Sequence, residues 1–188
     1  MNQAHLDFLA SPAWATWLEK ELVPWLRSAG DLGDDVLEVG PGPGLTTDLL
    51  RTLAGRVTAI ELDPALASSL SERLAGTNVE VINADATQTG LPSDRFSAAA
   101  SFSMLHHIPD AAVQDRLFVE LHRLLRPGGL LIAVDSRDLE AIRMFHEGDI
   151  FMPLDPDVLA EKLTSAGFTD VEVSTTDFEV RFRAKKPE

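Results

Sequence analysis

The chain has 188 residues, 45% hydrophobic and 24% charged, the size and balance of one compact globular domain. It contains no cysteine and no tyrosine, which excludes disulfides, thiolate nucleophiles, cysteine-ligated zinc and any phenolic acid or base. The net charge is −14; affinity for a nucleic-acid backbone or an anionic membrane surface comes from Lys and Arg, so neither is an expected partner.

No apolar run approaches the roughly 20 residues that span a bilayer. Residues Met1 to Ala10 carry Asp7 and no Lys or Arg, unlike a signal peptide, so the expectation is a cytoplasmic protein of a single domain, 1–188. Ser11 to Ala29 reads as an amphipathic helix. Trp14, Trp17, Leu18, Leu22, Trp25 and Leu26 recur at helical spacing, Pro12 suits the first turn, and Pro24 should kink or split the helix. Residues 1–30 are therefore expected to form an N-terminal helical cap, its tryptophans serving as core or as a lid over a pocket.

Strands and helices then alternate. Asp35 to Val39 is a short strand, Leu45 to Ala54 a helix, and Arg56 to Ile60 a second strand. Asp63-Pro64 opens a helix as cap and first residue, running to about Ala75. Val79 to Asn83 and Phe96 to Ser101 are strands three and four. Asp110 caps a helix to about Arg126, stopped by Pro127-Gly128-Gly129, and Leu130 to Val134 is strand five. A helix from Asp155-Pro156 ends at Gly167, and Val171 to Thr175 and Phe178 to Arg183 are β-rich. Such alternation implies an α/β fold: a doubly wound, mostly parallel sheet with helices on both faces. The last two strands stand so close that they suggest an antiparallel hairpin. Ligands in such sheets bind beyond the carboxyl ends of the strands.

The loop after strand one reads Glu38-Val39-Gly40-Pro41-Gly42-Pro43-Gly44. Glycines at alternate positions let the backbone turn sharply and approach a ligand. A dinucleotide fingerprint would need a small residue where Leu45 stands, and no G-K-[ST] makes a phosphate loop. Glu38 would repel a pyrophosphate but suits an ammonium group. After strand two, Glu61 follows Gly40 by 21 residues, the spacing at which an acid takes the ribose hydroxyls of an adenosine-containing ligand. After strand three, Asp85 could accept from an adenine amino group while the Ala86 N–H meets the ring. An Asp in such a loop also serves as a turn residue, and Asp63 reads simply as a helix-start charge.

These loops, in this order, resemble the class I S-adenosylmethionine (SAM)-dependent methyltransferases, in their small-molecule, type 11-like branch, from about Val36 to Val134. V-L-E-V-G-P-G-P-G is similar to the first motif of that family, A-I-E-L-D-P to the second and N-A-D-A to the third. F-S-A-A-A-S-F-S-M-L-H-H-I is similar to the fourth, and L-L-R-P-G-G-L-L-I to the signature before strand five. The resemblance implies a Rossmann-like sheet of seven strands with a C-terminal antiparallel hairpin. It implies SAM as cofactor, with Glu38, Gly40, Pro41, Gly42 and Gly44 around its methionine part, Glu61 and Leu62 at the ribose, Asp85 and Ala86 at the adenine, and Ser101 and Phe102 near the sulfonium. Where the family often has Asp after the Phe that opens strand four, this chain has Ser97. Ser101-Phe102-Ser103-Met104 lacks the Pro-Pro of enzymes that methylate adenine N6 or protein glutamine, which argues against that branch; the missing cysteine excludes cytosine-C5 chemistry.

Methyl transfer from a sulfonium is an in-line displacement, and the enzyme chiefly aligns the acceptor and excludes water. If the acceptor must lose a proton, the candidate bases are His106, His107 and His146, with Asp135 as a possible orienting group and His122 as an ordinary helix residue. Residues 137–154, with Met144, Phe145, Phe151 and Met152, are expected to form a lid on the acceptor side. The expected acceptor is a small molecule, because no additional domain is present to grip a macromolecule. Dispersed acids and the absence of His-x₃-His spacing give no expectation of a metal. Two other readings are kept: a non-catalytic SAM-binding sensor or partner subunit, and, more remotely, an NAD-dependent oxidoreductase.

Overall fold

The structure, a computed structural model, describes residues 2–188. Seven strands, β1 (Asp35–Val39), β2 (Arg56–Glu61), β3 (Val79–Asn83), β4 (Phe96–Phe102), β5 (Leu125–Ser136), β6 (Thr169–Thr175) and β7 (Glu179–Lys185), make one sheet in the order β3-β2-β1-β4-β5-β7-β6. The first five run parallel; β7 lies antiparallel to β5 and to β6. This is the mixed, Rossmann-like sheet with a terminal hairpin that the sequence pattern implies. Strand order reverses between β1 and β4, so their loops part and leave a crevice beyond their carboxyl ends.

Period-two patterning builds two cores. Leu37, Val39, Ala99, Leu131 and Ala133 face α6 (Ala111–Leu124) and α8 (Pro156–Ser165), meeting Leu117, Phe118, Leu121, Leu159 and Leu163. Val36, Ala98, Ala100, Ile132 and Val134 face the N-terminal helices and Leu50 of α4 (Leu45–Leu53). Both faces are apolar because both are covered, as parallel central strands require. On the outer side of β2, α5 (Pro64–Arg73) opens on Asp63, whose side chain accepts from the Ala65 and Leu66 N–H groups.

Two local readings change. The N-terminal stretch begins earlier, with α1 (Gln3–Leu9) capped by Asn2, followed by α2 (Pro12–Trp17) capped by Ser11. It reaches α3 (Val23–Ala29) through a π-helical turn at Leu18–Leu22. Pro24 donates no N–H, and the widened turn just before it absorbs that loss without breaking the rod. Strand β5 begins five residues before the expected Leu130. Arg-Pro-Gly-Gly does not stop the chain there, because the C-terminal tail pairs with it: Gly128 N–H donates to Lys186 O at 3.0 Å and Lys186 N–H to Gly129 O at 2.9 Å.

Ser97 lies within β4 and is buried. Its hydroxyl lies 2.6 Å from Leu32 O, to which it donates, and accepts from Asp35 N–H at 3.0 Å. It thus ties the segment entering β1 to the centre of the sheet. Ser97→Ala leaves a buried carbonyl and a buried N–H without this partner, and urea unfolding should show a loss of about 1–3 kcal/mol.

Candidate active site

The glycine loop leaves β1 and turns at once. Gly40, Gly42 and Gly44 have φ of 67°, 54° and 87°, in the left-handed region that favours glycine. At Gly40 the close approach is also steric: a Cβ there would lie 2.1 Å from Met104 Cγ. Gly44 caps α4, and its N–H donates to Pro41 O at 3.0 Å. Pro41 is buried in the turn.

Glu61 ends β2 and is 8% exposed. Its Oε2 accepts the Gly42 N–H at 3.0 Å and its Oε1 the Asp63 N–H at 2.9 Å. The first two loops are therefore fastened to one carboxylate. Asn83, which the sequence reading passed over, closes the third side: its Nδ2 donates to Glu61 O at 2.8 Å and Leu62 O at 3.0 Å. Leu62 stands 70% exposed beside it. Asp85 is exposed, and its Oδ1 accepts both the N–H and the hydroxyl of Thr87 in a local turn, with Ala86 half-buried between them. Ser101 and Phe102 end β4 on opposite faces of the sheet. Ser101 Oγ is buried with no hydrogen-bond partner, whereas Phe102 packs into the core beneath the N-terminal helices.

Glu38 lies beneath the loop, 1% exposed. The hydroxyls of Thr46 and Thr47, in the first turn of α4, donate to its two oxygens, the latter at 2.6 Å. Its carboxylate thus anchors the helix to the strand. Burial pushes its pKa up to about 7, against the pull of the two threonines.

The three histidines expected as bases meet at one point, joined by a fourth. His106 and His107 occupy a 3-10 turn, Leu105–His107, after β4. His146 follows α7 (Glu140–Phe145), and His5 comes from α1. His106 Nδ1 is 2.5 Å from Asp135 Oδ1 at the end of β5, and Asp135 also accepts the Leu105 N–H at 2.7 Å and the Ser136 N–H at 2.7 Å. Burial pushes Asp135 up, but the adjoining His106 ring and these hydrogen bonds hold it below the usual carboxylate range. Burial, then the other three rings, lowers His5 to about 3. Gln114 of α6 fixes the surroundings, its Nε2 donating to Leu105 O at 3.2 Å and Met152 O at 2.8 Å. His122 lies apart, against Gly167. Nothing in the local sequence marks His5, whose partners lie about a hundred residues along the chain.

Segment 137–154 is pinned in place. Met152 N–H donates to His106 O at 2.7 Å, and Asn2 binds Asp149 Oδ2 and Phe145 O at 2.7 and 3.1 Å. Leu9 of α1 lies over Gly42, so the N-terminal helices stand against the glycine loop while Asn2 ties them to this segment. Among the described residues no helix is long and apolar enough to cross a membrane.

A glycine loop at the topological switch point, an acid ending the second strand and an unpartnered Ser101 hydroxyl lie at the carboxyl ends of the strands of a Rossmann-like sheet. The family described as "Methyltransferase domain" matches residues 37–133, about half of the chain, and the chain belongs to this family, that of the class I SAM-dependent methyltransferases. A probable SAM-dependent methyltransferase of Mycobacterium tuberculosis is 29% identical over 163 residues, covering 82% of this chain and 56% of its own length. A SAM-dependent methyltransferase structure from Aquifex aeolicus superposes with a TM-score of 0.77 at 20% identity, covering 98% of both chains. An rRNA adenine N-6-methyltransferase of Saccharopolyspora erythraea is 49% identical over 82 residues, 42% of this chain and 22% of that protein. The chain spans about half or less of the length of these curated relatives.

The rRNA relatives correct the expectation that nucleic acid is excluded. That exclusion rested on total charge and on the missing Pro-Pro, whereas phosphate contacts depend on where cations sit, not on their sum.

The residues present fit the cofactor of the family: Glu61 keeps lone pairs beyond the two it shares with N–H groups, and Ser101 Oγ awaits a partner.

Glu38 yields a pH prediction. Its carboxyl titrates at about 7 in the fold and near 4.5 when unfolded. This raised value favours the fold below pH 4.5, and the contribution is lost as pH rises through 7. Stability of the free protein should fall by up to about 3 kcal/mol across that window, and Glu38→Gln should flatten the slope in urea titrations run at successive pH values.

Proposed function

We propose that the chain binds SAM across the carboxyl ends of β1, β2, β3 and β4 and transfers its methyl group to a small-molecule acceptor. The observation that carries this reading is the Glu61 carboxylate, held by the Gly42 N–H at the mouth of the glycine loop. In this reading it would accept the ribose hydroxyls. Asp85 and Ala86 would frame the adenine, Gly40, Pro41, Gly42 and Gly44 the methionine part, and Ser101 the sulfonium end. When bound, SAM supplies an activated methyl group: the acceptor lone pair forms the new bond as the carbon–sulfur bond breaks, leaving S-adenosylhomocysteine. The residues of this chain do the rest. The stiff loop with Pro41 and Pro43 holds the donor in one pose, and Leu9, with the pinned segment 137–154, excludes water. The N-terminal helices, with Leu9 over Gly42 and Asn2 tied to segment 137–154, support a small acceptor.

Calorimetric titration should give micromolar SAM affinity, no binding of NAD, and a loss of about 10–100-fold in Glu61→Ala, the weight of hydrogen bonds to a charged group. A folded wild-type protein that ignores SAM overturns the reading. An acceptor screen read by S-adenosylhomocysteine release, with small hydroxyl, amine and carbon acids beside rRNA, tests the second half. Turnover on a small acceptor supports it; methyl incorporation only into RNA assigns the acceptor to nucleic acid; binding without turnover on any of these favours a SAM sensor.

A further inference from the structure

Four of the five histidines of the chain, His5, His106, His107 and His146, bring one ring nitrogen each into a cluster, these atoms lying within 4.8 Å of one another. They come from the N-terminal helix, the turn after β4 and the end of α7, so no local motif created the cluster.

The hydrogen bonds around the rings determine which nitrogens face inward. A carbonyl only accepts, so His146 Nδ1, 2.7 Å from Ile142 O, carries its hydrogen, and Nε2 bears a lone pair. Asp135 accepts backbone N–H groups on both oxygens and takes the His106 Nδ1 hydrogen, which leaves a lone pair on His106 Nε2 as well. These two Nε2 atoms stand 3.1 Å apart. Two lone pairs cannot bond each other; the contact needs a positive centre between them. A second pair, His107 Nε2 and His5 Nδ1, meets at 3.2 Å.

A tetrahedral ion with metal–nitrogen bonds of about 2.0–2.1 Å has nitrogen–nitrogen edges of about 3.3–3.4 Å, close to both pairs. The outer nitrogens of His106 and His146 have the partners that hold ligating imidazoles in orientation, a carboxylate and a backbone carbonyl; His107 Nδ1, buried without a hydrogen bond, lies 3.7 Å from Asp149 Oδ2. A lone proton would instead make an imidazolium that, beyond Asp135, meets three neutral rings in a buried pocket, where His106 is fully buried and His5 and His146 are 4% exposed.

We propose that this cluster binds a divalent transition-metal ion of the zinc type through Nε2 of His106, His107 and His146 and Nδ1 of His5. Imidazole donors select zinc, copper, nickel or cobalt over magnesium or calcium. With four protein ligands the site is closed, so the ion is a structural clamp. It joins the N-terminal helix and the 137–154 segment to the end of β4, next to the crevice. The ligated rings then have no lone pair left to take a proton from an acceptor, and the histidines act as ligands rather than bases. The site stands whether or not the proposed acceptor is correct.

The test uses the full chain without a histidine tag. It is stripped with chelator, then titrated with Zn²⁺ by calorimetry and with Co²⁺ by visible absorption. Expected are one tightly bound equivalent, the intense Co²⁺ spectrum of tetrahedral nitrogen coordination, and a rise in Tm of about 5–10 °C at a hundredfold excess over Kd. His146→Ala and His5→Ala should weaken binding by at least about 10-fold, and His122→Ala, outside the cluster, should leave it unchanged. Absence of a stoichiometric site at micromolar Zn²⁺, or an octahedral Co²⁺ spectrum, overturns the proposal even if the variants fail to fold. Equal affinity in the folded His146→Ala and His5→Ala variants overturns it as well, leaving a proton between His106 and His146.

Discussion

The crevice depends on a single carboxylate. A sheet whose order reverses between β1 and β4 opens a gap at that point, but a gap alone has no fixed walls. Glu61 supplies them, because its two oxygens take N–H groups from the first loop and from its own. Hydrogen bonds to an ionised group are each worth about 1.5–3 kcal/mol, enough to hold a glycine-rich segment whose free backbone has much entropy to lose. Asn83 then fastens the same strand end to β3. The loops are preorganised around the group that would receive the ribose.

Glu38, one strand away, shows how environment divides two similar side chains. It is sealed beneath the loop, satisfied by two threonine hydroxyls, and burial raises its pKa. Read from the sequence, its position before Gly40 suggested an ammonium partner. In the fold it faces the first turn of α4, and Thr46 and Thr47, which carried no signal of their own, complete it. A residue two places from a ligand-binding glycine can serve the ligand by fixing the backbone that touches it.

Most of the sheet was legible because its signals are local. Asp63-Pro64, Asp110 and Asp155-Pro156 cap helices by hydrogen bonds within three residues, and the strands alternate between two covered faces. What was not legible depends on partners far along the chain. The early start of β5 requires Lys186 to pair with Gly128 and Gly129. The histidine cluster requires His5 to meet residues 106, 107 and 146. The π-helical turn before Pro24 is a backbone response to a missing N–H that spacing alone does not foresee. The glycine loop, Glu61 and Ser101 stand out in the sequence because each sits at a strand end, where open α/β sheets bind their ligands. Phe102, one residue further, turned into the core because successive side chains on a strand point to opposite faces.

The division between what is shared and what is particular follows the same line. The family match, residues 37–133, spans β1 to β5 and holds the loops that would bind the donor. The N-terminal helices and segment 137–154 lie outside it, and they are joined to each other and to the glycine loop through Leu9 above Gly42 and Asn2 bound to Asp149 and Phe145. A methyl donor needs the same loops whatever it alkylates, whereas an acceptor is selected by the walls it must pass. Relatives that share the central segment can therefore act on rRNA or on other acceptors. Overall charge carries little weight in that choice, since Arg73, Arg95, Arg123 and Arg183 are all engaged with neighbouring acids and total charge describes no particular face. The N-terminal helices and the end of α7 meet at the histidine cluster, beside the turn after β4.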